Sequence, residues 1–159
     1  MEINSGLILG IEIKNKTAQI CVFDGRLNAP VAVNEAHQIY SNGIDVDKLI
    51  SSSSDEVINP LDEMKKIITT LINDAVSVTG NNKIISLSIV VYRYEIALLD
   101  LIKQSLKELG LYETNWQIIN RDEAFAYYAY SQKRELYLAG VVLMDYDENG
   151  LDMYRLSCQ

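Results

Sequence analysis

The acidic run Asp145, Asp147 and Glu148, followed at once by Asn149 and Gly150, is the densest set of ligand-holding residue types in this sequence. Carboxylates at positions i, i+2 and i+3 offer hard oxygen ligands to Mg²⁺ or Ca²⁺. A turn ending in glycine lets backbone N–H groups approach an anion such as phosphate. Asp, Asn and Gly are also the favoured residues of a tight β-turn. The calcium-loop spacing is only partial, and no glutamate closes the loop at its last ligand position. The flanking letters of "VVLMDYDENGLDMYRL" alternate apolar and polar residues on both sides of the turn. A hairpin is therefore the reading that turn chemistry favours, with no metal site expected.

Other chemistries lack their residues. One histidine, His37, and no CxxC pair leave zinc without ligands, and no Ser/His/Asp or Cys/His constellation is available. Cys21 alternates within an apolar stretch and is expected to pack as a small hydrophobe, with no disulfide to the distant Cys158. A net charge of −8 opposes nucleic acid and anionic lipid, and the Lys14/Lys16 pair is too small to reverse it. No run of about 18 apolar residues occurs, and the start "MEINSGLILGIEIKNK" has no cleavage pattern, so a cytoplasmic protein is expected. Phe125, Tyr127, Tyr128 and Tyr130 read as packing residues of a helix before they read as a platform for bases, with a protein-facing patch as a further use. Arg121-Asp122-Glu123 reads as the acidic first turn of a helix capped by Asn120.

At 159 residues with 48% hydrophobic content, the chain is long enough for a real apolar core. "LILGIEIK" and "TAQICVFD" are two strands joined by a short polar step, and "GRLNAPVAV" gives a turn and a third strand. "SNGIDVDKLISSSSDEVINP" reads as a loop with room for one short helix. Helical spacing runs from Pro60 to Val78, with Asn59 as N-cap and Gly80 as stop. "KIISLSIVVY" is a buried strand, Glu95 to Leu109 a helix closed by Gly110, "NWQIIN" a strand and Arg121 to Ser131 a third helix. An antiparallel start followed by βαβ crossovers implies an α/β fold, a mixed sheet flanked by helices.

This order resembles the actin-like ATPase superfamily of actin, sugar kinases and the seventy-kilodalton heat-shock chaperones. "LILGIEIKNKTAQICVFD" resembles its first phosphate motif, "QIINRDEAFAYYAY" is similar to its connecting helix, and "VVLMDYDENGLDMYRL" resembles its second phosphate motif. The resemblance implies a ribonuclease H-like, mixed five-stranded sheet with flanking helices, the first lobe of an actin-like ATPase plus a C-terminal β-hairpin. Residues 1–137 would form the first lobe, and residues 138–159 the start of a truncated second.

By the same resemblance Glu12 falls where the family has its first catalytic Asp, Lys14 where it has Gly, and Asn15 where it has Thr or Ser. In the second motif Asp145 keeps the acidic position, Asp147 stands in the glycine-rich segment and Gly150 replaces Thr. These six are the candidate cofactor-binding residues. Each added carboxylate would repel a polyphosphate by about 1 kcal/mol or more. No catalytic residue and no cofactor is then expected. The implied protein is a degenerate, pseudo-ATPase scaffold similar to uncharacterised bacterial members of the superfamily. Its partner would be another protein or a second copy, not nucleic acid or membrane. The alternative is a Mg-ATP-binding or hydrolysing protein whose cleft is completed by a missing second lobe, with Glu12, Lys14 and Asp145 acting on Mg²⁺ and phosphate. A third course is an assembly module that adds the terminal hairpin to another chain's sheet.

Overall fold

The computed structural model describes residues 6–27, 29–38, 45–51, 59–132, 141–147 and 150–156. Ser52–Ser54, Glu148, Asn149 and Cys158, all weighed above, lie outside these residues. The chain forms two compact units, Met1–Ile119 and Asn120–Gln159.

The first unit is built on strands β1 (Leu7–Ile13), β2 (Thr17–Phe23), β3 (Val31–Gln38), β4 (Ile84–Val91) and β5 (Asn115–Asn120), with helices α1 (Val46–Ser51), α2 (Pro60–Thr79) and α3 (Ile96–Glu108). Sheet order is β3-β2-β1-β4-β5. β1 pairs antiparallel with β2, where Glu12 faces Gln19, and parallel with β4, where Ile13 faces Val91. β2 pairs antiparallel with β3, an edge strand that runs on past Val33 and takes in His37. This is the mixed five-stranded α/β sheet anticipated above.

Alternation fixes which face is covered. Leu7, Leu9, Ile11 and Ile13 of β1 share one buried cluster with Ile20 and Val22 of β2 and Leu87, Ile89 and Val91 of β4. Met64, Ile68 and Leu71 of α2 and Leu98, Ile102 and Leu106 of α3 complete that cluster, at the spacing that puts them on one side of each helix. Each fully buried aliphatic side chain contributes about 1.5–3 kcal/mol of transfer free energy. Gly10 lies on the opposite face of β1, where a Cβ would come within 2.7 Å of Cys21 Sγ, so the two strands use the missing side chain to seat the thiol. Burial pushes the Cys21 thiol up from its ordinary pKa, as befits a small hydrophobe.

The helix ends follow local chemistry. Asn59 Oδ1 accepts from Leu61 N at 3.0 Å ahead of Pro60, and Gly80 closes α2 at φ 67°. Beyond α3, Gly110 N donates to Lys107 O and Leu111 N to Leu106 O around a φ of 71°, a Schellman ending. Lys65 ties the two helices together, bonding Asp62 at 2.8 Å and Glu108 at 2.7 Å.

The second unit holds α4 (Arg121–Ser131) and the hairpin of β6 (Val141–Asp147) and β7 (Gly150–Leu156). Asn120 Oδ1 accepts from Glu123 N at 2.7 Å, the expected cap. Phe125 stacks tilted on Tyr154 of β7 at 5.1 Å between ring centroids. The other aromatics of α4 differ from expectation: Tyr127, Tyr128 and Tyr130 are 57–59% exposed, and Ala129 is the buried residue of the helix. Adjacent positions on a helix lie about 100° apart, so Tyr127 and Tyr128 do not share a packing face.

Candidate functional site

In open α/β sheets ligands bind beyond the carboxyl ends of the strands. Here β1 and β4 end side by side, with Tyr92 N donating to Ile13 O at 3.2 Å, and the first candidate loop follows β1 directly. Glu12, on the last turn of the β1 pleat, accepts from Gln19 Nε2 at 2.6 Å and has Lys14 Nζ at 3.9 Å. Lys14 N donates to Thr17 O at 2.8 Å and closes the turn. Among the described residues the glycines with positive φ are Gly80, Gly110 and Gly150, so this turn has no glycine to open its backbone toward an anion.

Asn15 is engaged elsewhere. Its carbonyl accepts from Val46 N at 3.0 Å and its Oδ1 from Asp47 N at 3.1 Å, so it caps the start of α1 across more than thirty residues of chain. Asp45 Oδ1 adds a bond from Lys48 N at 2.9 Å. Asp47 then reaches the end of β4, accepting from Tyr92 Oη at 2.6 Å and pairing with Arg93, whose Nε lies 3.2 Å from Glu95. Burial and the Asp47 carboxylate together raise the Tyr92 hydroxyl far above its ordinary pKa, so it stays a protonated donor. Val46 and Leu49 are buried at the same place. The result is a short helix bolted to the ends of both central strands.

What space remains is small. A depression lined by Glu12, Lys14, Thr17, Ala18 and Gln19 holds about 30 Å³, room for about one water. Drug-sized ligand sites run to about 300–1,000 Å³. The first loop's three candidates are therefore neighbours in the chain but perform different tasks: Glu12 meets Gln19 and Lys14, and Asn15 holds α1.

The second loop is the two-residue turn of a regular antiparallel hairpin, with Asp145 opposite Asp152 and Asp147 opposite Gly150. Gly150 takes φ 127°, a value that disfavours any side chain, so turn geometry accounts for this glycine without a ligand. Asp145 and Asp147 are placed here by their backbone register alone. Among the described residues no cluster of three or more His, Cys, Asp or Glu side chains is disposed to hold a metal ion. No described helix is long and apolar enough to cross a membrane.

Sequence reasoning missed the Asn15–Asp47–Tyr92–Arg93 network. Its signals were present, an Asn in a turn and an Asp at the start of a short helix, but their pairing depends on the sheet order.

With the geometry in place, comparison with known proteins adds a family and a fold. The family described as "Family of unknown function (DUF5716) C-terminal" matches residues 41–159. The chain belongs to that family. No curated protein matches it. Among solved structures, the Aquifex aeolicus member of the Ppx/GppA protein family is similar over 95% of this chain and 51% of that one, with a TM-score of 0.54 and 10% identity. The type II variant structure of the Aquifex aeolicus Ppx/GppA phosphatase gives a TM-score of 0.52 at 9% identity, over 95% of this chain and 52% of that one. The chain thus spans about half the length of the structures it matches. At such identities the likeness establishes an actin-like fold for this DUF5716 family member, and that alone.

Proposed function

We propose that this chain is a degenerate actin-like domain, a pseudo-ATPase that serves as a scaffold for protein contacts. In this reading residues 1–137 correspond to the first lobe and residues 138–159 open the second. One observation carries it. The strand ends where a nucleotide's phosphates would lie are occupied by α1, held there by Asn15 on one side and by Tyr92 and Arg93 on the other. A polyphosphate would have to displace these bonds and enter a space that fits one water.

The phosphatase chemistry of the Ppx/GppA neighbour does not carry over on this view. A phosphate site needs an open array of backbone or cationic donors. In the first loop the lysine stands 3.9 Å from Glu12, and the Asn15 side-chain oxygen accepts from Asp47 N. Protein partners then follow as the remaining use of a fold that has kept its core.

The test is isothermal titration of ATP with Mg²⁺ into the full gene product. The expected result is no heat of binding. A Kd in the micromolar range, about −8 kcal/mol, would sink the pseudo-ATPase reading. It would favour instead a nucleotide cleft with Glu12, Lys14 and Asp145 at its metal and phosphates.

A further inference from the structure

The β6–β7 hairpin has one supported face and one bare face. Leu143 and Tyr154 pair across the strands on the first, and both are partly covered, with Tyr154 stacked on Phe125 of α4. The second face carries Val142, Met144 and Tyr146 of β6 opposite Arg155, Met153 and Leu151 of β7. Its five apolar residues are exposed by 56%, 69%, 81%, 68% and 53% in that order, from Val142, Met144 and Tyr146 to Met153 and Leu151. They are consecutive same-face positions, so they form one continuous patch. An isolated two-stranded hairpin is marginal in water, and a sheet with an apolar face requires a second layer.

We infer that this face is the contact surface for a second copy of the chain, two hairpins stacking face to face about a two-fold axis near the Met144–Met153 pair. The partner is argued from the shape and size of the patch. An isologous contact needs a surface that complements itself. Here the cross-strand Met144–Met153 pair sits at the centre, with an apolar residue on each side of it along β6 and a polar end at Arg155. Methionine side chains conform to one another, and a tyrosine at the rim supplies area with a polar tip. The exposed fractions amount to roughly 600 Å² per copy, so two copies would bury about 1,200 Å², the lower limit of stable interfaces. With a patch of that size a micromolar, concentration-dependent dimer is expected. The charge of the chain, −8 per copy, opposes association and sets its salt dependence: dimerisation strengthens as salt rises. This names the partner of the scaffold proposed above and borrows only its role. The mass of the assembly and the heat of nucleotide binding are separate readouts, so either reading fails without the other.

The experiment is sedimentation equilibrium of the purified chain over a range of concentrations, with two charge variants. The wild type is expected to reach twice the monomer mass. Met144→Glu/Met153→Glu and Met144→Lys/Met153→Lys are each expected to weaken the dimer by roughly a hundredfold or more, with far-UV circular dichroism unchanged. Mixing the two restores a dimer of intermediate charge. Tyr146→Asp, at the rim, weakens it less and serves where the central variants disturb the hairpin. A wild type that stays monomeric at every concentration overturns the inference and leaves the face to a different polypeptide. A dimer undiminished in Tyr146→Asp and in the folded glutamate variant places the interface elsewhere and overturns it equally.

Discussion

Asn15 shows how a residue in a former ligand position can change task. Its side-chain oxygen bonds Asp47 N and its carbonyl bonds Val46 N, so it satisfies two of the orphan donors at the start of α1. Asn15→Ala removes the side-chain bond and keeps the backbone one. A lost N-cap costs about 1 kcal/mol, within a range of about 0.5–2, so the urea midpoint should fall accordingly. Amide exchange should quicken first in Val46–Ser51. A phosphate ligand predicts the contrary: unchanged stability and a loss of nucleotide affinity. At this scale the sequence was legible where the partner is near in the chain. Asn59, Gly80, Gly110 and Asn120 could each be assigned because a cap bonds within a turn of itself. Asn15 could not, because its partner stands 32 positions away and only the fold brings them together.

Among elements, the join between β2 and α2 depends on a single carboxylate. Asp24, directly after β2, is 2% exposed and accepts from Arg26 Nε at 2.9 Å, from Arg26 N at 2.9 Å and from an Arg26 terminal nitrogen. The same guanidinium donates to Thr79 O at 2.8 Å, so a cation stands at the C-terminus of α2, where the helix dipole favours it. The Arg26 hydrogen bonds hold the Asp24 carboxyl below the usual aspartate range. A lowered folded pKa means that the unfolded chain binds the proton more readily. The stabilisation is complete above the ordinary value of about 3.9 and is lost as pH falls through the lowered one. Asp24→Asn should therefore lower Tm at neutral pH and flatten the fall of Tm below about pH 4. Parallel acid limbs in the two proteins would show that Asp24 does not link β2 to α2 in this way. The elements themselves were legible from periodicity, since the strands alternate and α2 and α3 each keep one apolar side. The α4 tyrosines were misread for the complementary reason: their spacing has no single face, and composition alone does not reveal exposure.

At the level of the whole molecule the two compact units differ in what sustains them. Met1–Ile119 contains nearly all of the buried apolar cluster, with sheet, α2 and α3 contributing to one core. Asn120–Gln159 has one helix and one hairpin, and Ala129 is its one fully buried apolar residue among those described. A polypeptide of about 40 residues buries too little surface to fold without disulfides, metals or association, and this unit shows a bare apolar face besides. A chain ended at Asn120, which keeps all of β5, should unfold cooperatively in urea with most of the parent's stability. The isolated Asn120–Gln159 peptide should give the circular dichroism of an unfolded chain when dilute and gain β structure as its concentration rises, because association supplies the missing layer. Cooperative unfolding of the dilute peptide would mean that the hairpin and α4 hold each other without help. The exposed face would then be a surface that the unit does not need for its own stability.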